Sequence, residues 1–306
     1  MRVVLTDRLS HTAEFERHLK TAAPTAEFRR WPLADPSWDY DLLVSWILPD
    51  DLVSLPPSLK AIFCFGAGSD QLLADPRIPM NMPIARLEDA GQADQMLNYV
   101  LHVAFAWLQN DNAYRVAQRD TTWQRPPTKV RSRDAMRVTV LGLGPLGQRV
   151  ARGLAEANFK AVAWSRSTRV VPGVETHAGW DALPAAAKNA DLVVNLLPLQ
   201  TETRNILNAR LFSGLRSGAY LVNLGRGEHL NEDDLLQALE TGTIDCAWLD
   251  VFREEPLPAQ HPFWLHRKIR ITPHMAGVPT AAGTSASIAR VIEALKRGLP
   301  LPNALR

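Results

Sequence analysis

RVTVLGLGPLGQRVARGLAEANFKAVAWSRS, residues 137–167, decides the fold. It opens on a β-branched apolar run, passes through Gly142, Gly144 and Gly147 in the spacing G-x-G-x-x-G, and enters helical sequence before a second apolar run, AVAW at 161–164. Between a strand and a helix these glycines permit a tight turn, close approach of a pyrophosphate to the backbone, and close helix packing, with the helix N-terminus facing the phosphates. A tight turn without ligand is the alternative reading. The second strand of a unit selective for NAD ends in Asp or Glu, which hydrogen-bonds the ribose hydroxyls. Here it ends in Ser165, Arg166 and Ser167. An acid would repel the additional phosphate of NADP, whereas Arg166, with Arg169 nearby, can pair with it and the serines can donate hydrogen bonds. The stretch predicts NADP(H) as cofactor, with NAD(H) second. The competing reading makes both arginines ordinary solvated charges.

The same grammar extends in both directions. Downstream lie DLVVNLLP at 191–198, AYLVNL at 219–224, TIDCAWLD at 243–250 and IRITPH at 269–274; upstream lie VVLTD at 3–7, LLVSW at 42–46 and AIFCF at 61–65. Apolar runs of this length separated by helical sequence read as buried parallel strands. The class is α/β, with two doubly wound parallel-sheet units of Rossmann-like or flavodoxin-like type. From Gln92 to about Gln118, Met96, Val100, Val103 and Trp107 recur on one stripe and predict a long helix. Residues 119–135, with adjacent prolines and five Lys or Arg residues, predict an exposed connection near a domain boundary. The helix after Thr280 is compatible with either unit.

At about 150 residues per domain, 306 residues argue for two domains. Hydrophobic residues make up 46% and charged residues 22%, a globular composition far from that of disorder. The formal charge of +2 provides no field for gripping a polyanion, so no nucleic-acid partner is expected. Two cysteines, Cys64 and Cys246, give no disulfide framework. MRVVLTDRLS lacks the apolar core of a signal peptide. No stretch reaches the roughly 18 apolar residues of a membrane span. A cytoplasmic protein without membrane partner or metal is expected.

In an open α/β sheet the ligand lies beyond the carboxyl ends of the strands. Arg226 follows AYLVNLG, Glu255 follows LDVF, and His274 follows IRITP, each after one of three successive predicted strands. The three suit reduction of a 2-oxo acid. Histidine titrates nearest neutrality and can supply a proton to the developing alkoxide. A carboxylate on the other ring nitrogen favours imidazolium and fixes the ring. A guanidinium holds a carboxylate by paired hydrogen bonds and polarises the carbonyl. Taken singly, His274 reads as structural and Glu255 as a loop residue before Pro256; Arg226, between Gly225 and Gly227, has the strongest case.

The chain resembles the D-2-hydroxyacid dehydrogenase family, and within it the bacterial glyoxylate and hydroxypyruvate reductase branch. The likeness rests on GLGPLG at 142–147, WSRS at 164–167, NLLPLQTETRNIL at 195–207, LVNLGRG at 221–227, LDVFREEPLP at 249–258 and ITPHMAG at 271–277. It implies a discontinuous substrate domain, 1–98 with 276–306, and a Rossmann domain, 99–275. It implies catalytic roles for Arg226, Glu255 and His274. Cofactor contacts fall on Gly142, Leu143, Gly144, Pro145, Leu146, Gly147, Ser165, Arg166, Ser167, Leu197, Pro198, Gly225 and Asp250. Substrate contacts fall on Trp46, Gly66, Ala67, Gly68, Arg226 and His274, the three loop residues offering amides to an anion. The expected substrate is a small 2-oxo acid, glyoxylate or hydroxypyruvate, reduced to the D-hydroxyacid. The expected assembly is a homodimer through the cofactor domain, and Trp123 resembles a tryptophan that related reductases extend to the partner, the alternative being a solvated loop.

The competing class is a non-catalytic, dinucleotide-sensing protein of the same fold. A methyltransferase on a Rossmann sheet leaves Arg226, Glu255 and His274 without use.

Overall fold

The computed structural model describes all 306 residues except 7–11, 67, 124, 126–130 and 306. The chain runs β1 (Arg2–Leu5), α1 (Ala13–Ala22), β2 (Glu27–Arg30), β3 (Leu42–Ser45), β4 (Ala61–Cys64), α2 (Asp70–Ala74) and β5 (Ile84–Arg86). It continues through α3 (Gln92–Leu108), α4 (Asp111–Arg119), β6 (Arg137–Leu141), α5 (Pro145–Glu156), β7 (Lys160–Ser165), β8 (Glu175–Ala178), α6 (Leu183–Ala187) and β9 (Leu192–Asn195). Last come α7 (Ala209–Phe212), β10 (Ala219–Asn223), α8 (Glu232–Thr241), β11 (Ile244–Leu249), β12 (Ile269–Ile271) and α9 (Ala281–Arg297). These elements form two compact units, residues 1–91 with 279–306, and residues 92–278.

The first unit is a parallel sheet in the order β2-β1-β3-β4-β5, the flavodoxin-like winding. One face packs Val3, Leu42 and Phe63 against Phe15 and Leu19 of α1 and Ile288, Val291 and Ile292 of α9. The other face buries Leu43, Ile62 and Leu72 with Tyr40. Thr280 decides where α9 goes. Its Oγ1 caps the helix by accepting from Gly283 N at 3.2 Å, and its hydroxyl and N–H both donate to the Ala90 carbonyl.

The second unit is a seven-stranded parallel sheet, β12-β11-β10-β9-β6-β7-β8, which is the Rossmann winding with one added strand. Leu97, Val100, Val103 and Trp107 of α3 and Val150, Ala151 and Leu154 of α5 cover one face; residues of α6, α7 and α8 cover the other. Gln95 Nε2 donates to the Val278 carbonyl at 2.6 Å, tying the start of α3 into this unit.

Four expectations need correction. The unit boundaries fall at 91/92 and 278/279, not at 98/99 and 275/276, because α3 packs along its whole length on α5 and β10. No boundary lies at 119–135, since both flanks belong to the second unit. The helix expected over 92–118 stops at Leu108 and restarts at Asp111, with Asn110 in the left-handed region at φ 55°, which asparagine tolerates. The strands β2, β5 and β8 escaped the apolar-run criterion. EFRR and ETHA are sheet edges whose residues stay partly exposed, and IAR is too short to register.

Trp164 closes the core beside the end of β7. It is fully buried, and its Nε1 donates to the Gly179 carbonyl at 2.8 Å. Trp164→Phe keeps an aromatic ring but leaves that carbonyl without its donor, so urea unfolding should show a loss of about 1–3 kcal/mol. An unchanged midpoint would mean that water replaces the indole.

Candidate active site

The phosphate turn lies where the strand order reverses, between β6 and β9. A Cβ on Gly147 would stand 1.9 Å from the Gly142 carbonyl oxygen, so the first turn of α5 seats directly on the strand end only without a side chain there. Gly144 is the N-cap of α5 with no side-chain cap, and Pro145 follows in the first turn. The first amides of this 12-residue helix thus face outward, the arrangement that a pyrophosphate satisfies. Leu143 and Gly147 are buried, and Pro145 and Leu146 line the start of the helix.

At the end of β7, Ser165 is buried and its Oγ donates to the Ser167 carbonyl at 2.7 Å. That hydroxyl shapes the turn. Arg166 and Ser167 are exposed beside it, with Arg169 also exposed. No carboxylate stands at this strand end, so the residues present fit a dinucleotide carrying a ribose phosphate.

The next strand ends supply the chemical groups. His274 Nδ1 lies 2.8 Å from Glu255 Oε2, and Glu255 Oε1 accepts from Phe252 N at 2.9 Å. Burial raises the Glu255 pKa, but the His274 hydrogen bond, the Phe252 N–H, and the charges of His274 and Arg226 outweigh it. The carboxyl lies below its ordinary value. An ionised carboxylate only accepts, so Nδ1 carries a proton and Nε2 is the nitrogen left to exchange one. Arg226 follows β10 half-buried, its Nη1 donating to the Gly225 carbonyl at 2.9 Å.

His274 has φ 55°, an uncommon conformation for a residue with a side chain, though one in which histidine, like asparagine, is enriched. Asp250 holds it there. Its carbonyl accepts from His274 N at 2.8 Å, Oδ1 accepts from Met275 N at 2.8 Å and Thr272 Oγ1 at 2.6 Å, and Oδ2 accepts from Ala276 N at 2.9 Å. Tyr99 extends this set, with its hydroxyl 3.0 Å from Thr272 Oγ1. Burial, and more weakly the Asp250 charge, push the Tyr99 phenol up to about 12 against the opposing Thr272 hydrogen bond, so it remains a donor. Asp250 therefore spends most of its acceptor capacity wrapping the loop that carries His274, a role the sequence did not reveal.

A second buried set joins the loops after β9 and β10. Asn195, Asn223 and His229 are wholly buried and linked to one another, to Leu197 and Pro198, and to Gly225 and Arg226. Sequence reasoning passed over all three. The two asparagines sit inside quoted stretches, and polar residues ending two apolar strands were the available signal.

In the first unit, Trp46 follows β3 and Gly66 and Gly68 follow β4. A Cβ on Gly66 would lie 3.1 Å from Trp46 Nε1, so the indole and this loop are adjacent, and Cys64 Sγ reaches the Gly68 carbonyl at 3.7 Å. Ala67 lies outside the described residues. Among the described residues no helix is long and apolar enough to cross a membrane, and no cluster of three His, Cys, Asp or Glu could hold a metal ion.

Residues 101–276 match the family described as D-isomer specific 2-hydroxyacid dehydrogenase, NAD binding domain. A glyoxylate/hydroxypyruvate reductase A of Serratia proteamaculans is 38% identical over 304 residues, covering 97% of this chain and 96% of its own. A D-isomer specific 2-hydroxyacid dehydrogenase from Xanthobacter autotrophicus, solved with NADPH and MES, superposes with a TM-score of 0.91 at 31% identity, covering 100% of this chain and 98% of its own. An NADPH-dependent glyoxylate/hydroxypyruvate reductase from Sinorhizobium meliloti, solved with NADP and sulfate, gives 0.89 at 33% identity over the same shares. The fold is that of a dinucleotide-dependent oxidoreductase. The chain belongs to the D-isomer specific 2-hydroxyacid dehydrogenase family.

The depressed Glu255 pKa has a sign that stability measurements can read. Its contribution is complete above the ordinary value of 4.5 and is lost as pH falls through the lower folded value. Urea midpoints of wild type and Glu255→Gln should differ above that range and converge on acidification. A gap that stays constant with pH would locate the stabilisation elsewhere.

Proposed function

We propose that this chain is an NADPH-dependent reductase of glyoxylate or hydroxypyruvate, giving the D-hydroxyacid where the product is chiral. The observation that carries the reading is the 2.8 Å pair of His274 Nδ1 and Glu255 Oε2, with the charge of Arg226 acting on the same carboxylate. The relatives named above support the substrate class, and their bound NADP(H) supports the cofactor.

When bound, the reduced dinucleotide supplies the hydride. The turn at Gly142–Gly147 would hold its pyrophosphate and Arg166 would pair with the ribose phosphate. Leu197, Pro198 and Gly225 are proposed to contact it on the strength of the family resemblance, and Asp250 acts chiefly through the His274 loop. Arg226 holds the substrate carboxylate and draws electron density from the carbonyl. His274 gives its Nε2 proton to the carbonyl oxygen as negative charge develops there, and Glu255 stabilises the imidazolium before transfer. Trp46, Gly66, Ala67 and Gly68 are proposed substrate contacts on the strength of the family resemblance. Residues 92–278 are thus the cofactor domain and the other unit the substrate domain. A reducing, cytoplasmic setting accords with two buried free thiols, Cys64 and Cys246.

The test is loss of reduced-nicotinamide absorbance with NADPH or NADH crossed against glyoxylate, hydroxypyruvate and pyruvate. Turnover should be fastest with NADPH and one of the first two. His274→Ala should lower kcat by about 100-fold or more while NADPH binding holds, and equal turnover would remove His274 as proton donor. Arg166→Asp should lower the NADPH to NADH preference by about 10- to 100-fold, the worth of a charge-assisted hydrogen bond. An unchanged ratio would place the phosphate elsewhere.

We also propose a homodimer through the cofactor domain. Exposed Phe105, Tyr114 and Trp123, the last with 90% of its surface accessible, support it. Sedimentation equilibrium should return twice the 34.0 kDa chain mass, and a monomer at micromolar concentration would refute it.

A further inference from the structure

We infer that His229 is a positioning residue for the proposed reduction, joining Asn195 and Asn223 in a buried connector that holds the Arg226 backbone and the Leu197–Pro198 turn in one arrangement. This rests on Arg226 as the substrate-carboxylate residue.

Asn195 and Asn223 pair in register at the ends of β9 and β10. Asn195 Nδ2 donates to Asn223 Oδ1 at 2.9 Å and to His229 Nδ1 at 2.9 Å, while Asn195 Oδ1 accepts from Leu197 N at 3.3 Å. Asn223 Oδ1 also accepts from Gly225 N at 3.2 Å, and its Nδ2 donates to the Arg226 carbonyl at 2.9 Å. His229 Nδ1 accepts the Arg226 N–H at 3.0 Å, and Nε2 reaches the Pro198 carbonyl at 3.3 Å. Both backbone groups of Arg226 are thus bonded into a set that also holds the turn after β9.

The donors dictate the ring's state. A backbone N–H can only donate, so Nδ1 must be an acceptor; the carbonyl at Nε2 can only accept, so Nε2 carries the proton. His229 is held neutral as the Nε2–H tautomer. There is little slack, because a Cβ on Gly225 would lie 2.7 Å from Asn195 Nδ2 and 2.8 Å from His229 Nδ1. A polar cluster this completely buried and bonded rigidifies what it touches, and here it touches the backbone that aims a guanidinium.

The first measurement is nitrogen NMR of the full-length, His-labelled protein, with the His229 ring assigned by its loss in His229→Gln. An unprotonated Nδ1 and a protonated Nε2 are expected, and a protonated Nδ1 overturns the inference. The second is steady-state kinetics. Asparagine can place its Oδ1 near the Nδ1 position and still accept from Arg226 N, whereas glutamine places its amide near Nε2. His229→Gln should raise KM for the 2-oxo acid about tenfold and lower kcat about tenfold, with His229→Asn within about threefold of wild type in both. Wild-type constants in His229→Gln, or losses in both variants that simply follow their melting temperatures, overturn it. Should His229→Gln not fold, His229→Asn is the variant used for assignment and the tautomer decides. An inactive wild type would instead overturn the proposed function, with the tautomer still readable.

Discussion

In a parallel sheet every strand leaves at the same edge, and that constraint assembles this site. Residues as far apart in sequence as Gly142 and His274 follow β6 and β12 of one parallel sheet, so strand direction alone brings their loops to its carboxyl edge. The winding reverses between β6 and β9, and the glycine turn stands at that reversal. Everything chemical in the cofactor unit is hung from this edge.

Direction places loops but does not aim side chains. Aim comes from buried polar groups that have given up water and must find partners within the protein. Asp250 is the plainest case, because a carboxylate buried at a strand end collects Thr272, Met275 and Ala276 and holds His274 at φ 55°. Asn195, Asn223 and His229 do the corresponding work for the Arg226 backbone. Glu255 differs, being part-exposed and acting directly on the His274 ring. The hydrogen bonds that orient the site are therefore mostly hidden beneath it, while the proposed proton donor and its partner carboxylate remain open to solvent.

The two α/β units, the glycine turn, and the placement of Arg166, Arg226, Glu255 and His274 after strands were legible in the sequence, because each residue follows an apolar run and that run's pattern survives without tertiary context. Edge strands were not. EFRR and ETHA owe their strand state to one neighbouring strand and carry no apolar signature. The break at Asn110 was also hidden, since a helical stripe does not report a single left-handed residue.

The sequence by itself determined which residue types follow which strands, and hence the fold class and the chemistry on offer. Only the tertiary structure decided that α9 returns to the first unit, that Asp250 organises the His274 loop, and that His229 meets Asn195. These are contacts between groups tens of residues apart, or over one hundred for Thr280 and Ala90, and their geometry follows from strand register and burial, which no local pattern encodes.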